Sequence, residues 1–204
     1  MGVISELCNS AILLQAGHII LAGDLTPVIE QYLRAVTPAE ANKKWPRDLA
    51  PGGDKLKLRS ISLSDTQGLS AQTFRGDSPI QVDLHYEILQ DVPDSRIGIR
   101  LLSTTGGIIL ASTDSDTVDG KTSQRKAGKY RSSCIIPANL LNFGQYSIAV
   151  AADIPMREVL IETGPLVSFE VDSIGAVGTR HSDHRPGYLR PRLAWDIQCL
   201  ETFP

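Results

Sequence analysis

The sequence predicts an all-β fold, a two-sheet antiparallel β-sandwich of immunoglobulin-like or jelly-roll type, preceded by a short α/β segment. Three observations predict it. From Lys55 onward, short apolar runs recur with turn residues between them. In the clearest run Val82, Leu84, Tyr86 and Ile88 alternate with Gln81, Asp83, His85 and Glu87, the period of a half-buried strand. Before Trp45, by contrast, two apolar runs are followed by helical spacing.

In chain order, Ala11–Leu14 reads as a strand, Gln15–His18 as a turn and Ile19–Ala22 as a second strand closed by Gly23-Asp24. Thr26 is the expected N-cap of a helix with Pro27 at its first position, and Val28, Ile29, Tyr32 and Leu33 repeat at helical spacing. Two short strands and one helix make no core alone, so residues 1–34 read as the edge of a larger domain. Residues 35–54, with several prolines and Gly52-Gly53, have linker composition. The sandwich is expected over 55–172, with strands at Leu56–Leu63, Pro79–Leu89, Arg96–Ser103, Gly107–Thr113, Lys129–Ile136, Gln145–Asp153, Met156–Glu162 and Leu166–Asp172. Thr104-Thr105-Gly106 and Thr163-Gly164-Pro165 read as hairpin turns. Residues 173–204 form a tail whose run Leu193–Cys199 could pair with the parent sheet or a second subunit.

Composition narrows the function. The 204 residues are 42% hydrophobic, enough for one sizeable core. With 20 Lys and Arg against 23 Asp and Glu, a net charge of -3 gives a nucleic-acid surface no support. No apolar stretch approaches the roughly 20 residues of a bilayer-spanning helix. Three cysteines at wide spacing supply neither a disulfide framework nor a metal motif, and a reducing, cytoplasmic setting is the default.

The segment from Leu7-Cys8 through Leu13-Leu14-Gln15-Ala16-Gly17-His18 to Leu21-Ala22-Gly23-Asp24, with Gln31-Tyr32-Leu33 after it, resembles the C-terminal end of an ABC-transporter ATPase domain. Followed by a linker and a sandwich, this ending resembles the ATP-binding subunit of bacterial O-antigen polysaccharide exporters. Phe74-Arg75-Gly76-Asp77, Gly128-Lys129-Tyr130, Leu141-Asn142-Phe143-Gly144-Gln145-Tyr146 and Trp195 are similar to that family's C-terminal domain. The resemblance implies a non-catalytic module that binds the exported O-antigen polysaccharide, in some members at a modified non-reducing end, and so couples chain completion to export. It also implies a homodimer, sometimes with an exchanged C-terminal strand, a transmembrane exporter subunit as partner, and a place at the inner face of the bacterial inner membrane. The chain departs from the full-length family in having no Gly-x-x-x-x-Gly-Lys-Ser/Thr loop, so neither ATP hydrolysis nor a cofactor is expected of it.

Catalytic and metal motifs are weak. Asp114–Gly120 fails the calcium-loop register, and His181 and His184 lack further ligands nearby. For sugar binding, the neighbouring strands Arg96–Ser103 and Gln145–Asp153 are the candidates. Ser147, Ala149 and Ala151 would leave a shallow trough, and Arg96 and Arg100 flank Gly98. An arginine fork there could grip an anionic part of a glycan. The candidate residues are therefore Arg96, Arg100, Ser147, Ala149 and Asp153, with His85 if the other sheet is used; no catalytic or metal residue is assigned. Tyr86, Tyr146 and Phe169 fall on core phases, which leaves Trp45, Phe74, Tyr130, Phe143 and Tyr188 as stacking candidates. Two rivals stand beside this reading. One is a purely structural dimerisation module, the other a glycan-modifying enzyme using Asp114, Asp116 or His85.

Overall fold

The computed structural model describes residues 8–36, 40–104, 106–117, 123–172 and 187–189. Strands β1 (Ser10–Gln15) and β2 (His18–Asp24) form an antiparallel hairpin, and helix α1 (Leu25–Val36) follows at once. Leu25, Val28 and Ile29 are buried on it. The helix starts at Leu25, one residue ahead of the expected Thr26 cap, which leaves Pro27 in the first turn, where its missing N–H costs nothing.

The remaining strands form two sheets. The smaller has the order β10 (Gly128–Ile136), β6 (Ile80–Ile88), β4 (Leu56–Ser64), β3 (Asn42–Lys44). The larger runs β5 (Thr73–Arg75), β13 (Val167–Asp172), β11 (Gly144–Ile154), β7 (Val92–Ser103), β8 (Ile108–Thr113), with β12 (Glu158–Glu162) also on β11 and β9 (Ser123–Arg125) also on β7. Alternation drives the inner faces together: Val82, Leu84, Tyr86 and Ile88 from one sheet share a core with Ile97, Ile99, Leu101, Ile148, Val150 and Phe169 from the other. In β4 the register slips between Leu58 and Ser60. That bulge moves the inward phase from Leu56 and Leu58 to Ile61 and Leu63, all four fully buried.

All eight expected sandwich strands are present, and three short ones join them. Strand β3 and the buried Ala41 and Ala50 lie in the stretch that composition assigns to a linker, yet Lys43 pairs with Ile61 of β4. Strand β5 pairs in parallel with β13, an exception to the antiparallel rule. The expected hairpin at Thr163-Gly164-Pro165 is not one. Strands β12 and β13 pair with successive halves of β11, so they act as one interrupted neighbour strand. Phe74 is also core, its ring edge-on to Phe169 with centroids 5.8 Å apart, and Tyr130 stacks on Tyr86. Leu193–Cys199, Trp195, His181 and His184 lie outside the described residues.

Gly187–Leu189 lie against the start of β11. Asn142 Nδ2 donates to the Gly187 carbonyl at 2.8 Å, and the Tyr146 hydroxyl donates to the carbonyls of Asn142 and Tyr188 at 2.8 and 3.1 Å. Burial pushes that hydroxyl up to about 12, so it remains a donor across the working pH range. Burial likewise pushes the Cys134 thiol up to about 11. In a Cys8→Ser/Cys199→Ser protein at pH 8, Ellman's reagent should therefore label Cys134 on the order of 100-fold more slowly than free cysteine; labelling at the free rate would show the strand open there.

Candidate functional site

The outer face of the larger sheet brings five of the six sequence-chosen residues together, and register dictates how. Strands β7 and β11 pair with Arg100 opposite Ala149, Gly98 opposite Ala151 and Arg96 opposite Asp153. Cross-strand partners share a face, so both arginines and the small residues point outward side by side. Ser147 lies one row beyond Arg100, between Leu102 on β7 and Ser168 on β13. His85 lies elsewhere, exposed on the outer face of the smaller sheet between Arg131 and Ser60.

Both arginines are engaged. Arg96 grips Asp153 side-on, Nε to Oδ1 at 2.6 Å and Nη2 to Oδ2 at 2.9 Å, and the carboxylate raises its pKa above the ordinary guanidinium value. Arg100 Nη1 donates to Glu162 Oε1 at 2.7 Å. Glu162 sits opposite Ala151, on the far side of β11 from Arg100. The guanidinium must therefore cross above the alanines, which is why Ala149 is buried on an outward phase. The expected anion fork is thus already filled at Arg96 and partly filled at Arg100. Each pair instead offers donors and acceptors together: N–H groups pointing away from the contact, and carboxylate lone pairs beside them. Val159, exposed and opposite Asp153, and Met156, fully exposed in the β11–β12 turn, give that end an apolar lip.

Glu162 was not among the sequence candidates. It becomes visible only once β12 is paired with β11, and a bulge between Ala152 and Asp153 hides the strand's phase. The rival acid/base set is scattered. Asp114 accepts from Arg125, Ser132 and the Ile97 amide, Asp116 accepts from Ser112 and Thr113, and His85 is on the other sheet. No group of three or more His, Cys, Asp or Glu among the described residues could hold a metal, and no helix among them is long and apolar enough to cross a membrane.

A family model described as the Wzt C-terminal domain matches residues 50–175. The chain belongs to the Wzt C-terminal domain family. The match spans both sheets of the sandwich except β3. A crystal structure of the C-terminal domain of wzt superposes with a TM-score of 0.56 at 11% identity, covering 81% of this chain and 95% of that one, which supports the shared fold. A CARDB domain from Pyrococcus furiosus aligns at a TM-score of 0.33 and 10% identity over 65% of this chain and 100% of that one, too weak a likeness to bear on the fold. No curated protein sequence matches the chain. As a Wzt C-terminal domain, the sandwich carries on one outer face small residues bracketed by two arginine–carboxylate pairs, on the side opposite His85.

Proposed function

We propose that this Wzt C-terminal domain is the non-catalytic carbohydrate-binding module of an O-antigen exporter's ATP-binding subunit, and that it holds the polysaccharide on the outer face of the larger sheet. One observation carries the reading: Gly98 and Ala151 form a row of small residues between Arg96–Asp153 and Arg100, Ala149 lies beneath the Arg100 side chain that reaches Glu162, and Ser147 follows one row beyond. A sugar ring needs a flat approach, and its hydroxyls each donate and accept. A floor without bulk meets the first requirement and paired donor and acceptor groups the second. The lip at Met156 and Val159 offers apolar contact to a ring's C–H face. Residues 8–36, a hairpin with a helix, fit the end of the exporter's ATPase domain, which would place the module beside the transmembrane subunit at the cytoplasmic side of the membrane. In this reading the module works as a homodimer and prefers the polysaccharide's modified non-reducing end.

The test is calorimetry with the exporter's own O-polysaccharide, intact and with its terminal modification removed. Ala149→Trp fills the floor and Arg100→Ala removes one bracket, and each should weaken binding at least about tenfold, since one charged hydrogen bond or one steric block is worth that much. Capped chains should bind more tightly than uncapped ones. Unchanged affinity in both variants would move the site off this face. A protein that dimerises in light scattering but binds no polysaccharide would be a structural module instead.

A further inference from the structure

The outer face of the smaller sheet is cationic in an acidic chain. Register places Lys129, Glu87 and Lys57 in one row, and Arg131, His85, Ser60 and Lys44 in the next. Arg59, the bulged residue of β4, and Arg47 from the turn before it both reach Glu87 at 3.7 Å. Six cations thus face two carboxylates, Glu87 and Asp83, while the whole chain carries -3. The acids are also the covered members: their side chains are 14% and 15% exposed, against 71% for Arg47 and 59% for Arg131. Lys129, Arg131, Lys44 and Arg47 are exposed, so solvent meets more cations than acids on this face. The next row along holds Ser133, Asp83, Ser62 and Asn42, and the strand positions of this face hold no Phe, Tyr or Trp and a single exposed aliphatic, Ile135 at the corner.

We infer that this face rests on an anionic phospholipid surface. A protein partner draws its affinity from buried aromatic or apolar anchors, and this face presents none at its centre. A polyanionic strand is followed by cations in file along a groove. Here they spread from β10 at one edge of the sheet to β3 at the other, about 15 Å, in two neighbouring rows. A plane of fixed charges matched to a plane of headgroups needs only that spread. The two outer faces of a sandwich point in opposite directions, so a domain seated this way leaves the Arg96–Asp153 and Arg100–Glu162 pairs exposed to solvent. The surface is independent of the glycan reading, because none of its cations belongs to the trough.

Flotation of the protein with phosphatidylglycerol-containing vesicles, and with phosphatidylcholine vesicles as the uncharged control, tests it. Binding should need phosphatidylglycerol and fade as salt rises, since the Debye length falls to about 3 Å at 1 M. Lys44→Glu/Lys129→Glu changes two exposed side chains at opposite edges of the sheet. It should weaken partitioning roughly 25-fold or more, at about fivefold per basic residue, without shifting the thermal transition. Equal flotation with both lipids, or a double variant that floats like the parent, overturns the assignment. Failure to float with either lipid also overturns it and points to an acidic protein surface as the partner.

Discussion

Arg125→Met is expected to destabilise the sandwich by about 3 kcal/mol, with a fall in Tm of about 6–12 °C for a chain of this size. Arg125 sits on the three-residue strand β9, yet its side chain is only 7% exposed. Its guanidinium donates to the Asp114 carboxylate and lies 5.6 Å from the Tyr86 ring centroid. The same carboxylate accepts from the Ser132 hydroxyl at 3.2 Å and the Ile97 amide at 3.1 Å, and Ser132 bonds the Tyr86 hydroxyl at 3.0 Å. One ion pair therefore ties β7, β9, β10 and β6 at the end of the core. Removing the cation strands Asp114 in low dielectric, with the Ser132 and Ile97 donors still in place and 24% of its side chain in contact with solvent, which sets the cost near the low end of the range for a broken buried pair. Arg125 Nη1 and Ser95 Oγ are already buried without a partner among the described residues, so the network has little slack to re-form around a gap. Urea unfolding of Arg125→Met and of Arg125→Met/Asp114→Asn checks the account. The double variant should recover more than half of the loss, because the stranded charge is gone. A single variant within 1 kcal/mol of the parent, or a double variant worse than the single, would show that the pair does not organise this end of the fold.

That network also marks the limit of what is legible in the sequence. Strand phase is local: Val82 to Ile88 and Ser147 to Asp153 each declare their inward and outward sides, so the outward set Arg96, Arg100, Ser147, Ala149 and Asp153 could be read directly, as could the adjacency of β7 and β11 by analogy with immunoglobulin-like order. Ion pairs across strands depend on register, which no local pattern contains. Asp114 reads as part of a polar loop, and only the fold brings Arg125 to it from a strand too short to show a period. Glu162 fails to stand out for the same reason, since Thr163-Gly164-Pro165 has hairpin composition while β12 and β13 both run along β11. Likewise β3 hides behind proline and glycine, residues that make a connector improbable as a strand until Lys43 is found beside Ile61.

Gly98→Ala is expected to cost about 3 kcal/mol, the upper end for overpacking, and to loosen β8 from the sheet. Sequence reading treats Gly98 as open floor between two arginines; the structure adds a stricter reason for it. A methyl group at this position would lie 2.1 Å from the Ser112 carbonyl oxygen and 2.8 Å from the Thr113 Cα. Both belong to the backbone of β8, so no rotamer change relieves the clash, and either strand must shift or the pairing of Gly98 with Thr113 must open. Absent a side chain, β8 draws close and carries Ala111 to its place opposite Arg100, extending the small-residue floor beyond β7. The floor and the close approach thus have one cause, which couples stability to the proposed binding face. Hydrogen exchange should show lost protection at Ile108–Thr113 in Gly98→Ala, with Val167–Asp172 on the far side of β11 unchanged, and polysaccharide affinity should fall along with it. Ala151→Ser, opposite Gly98 on the same floor, adds one atom without meeting β8 and should leave both readouts within error. Full protection of β8 in Gly98→Ala would mean that the sheet absorbs the methyl group, and that the glycine serves only to keep the floor low.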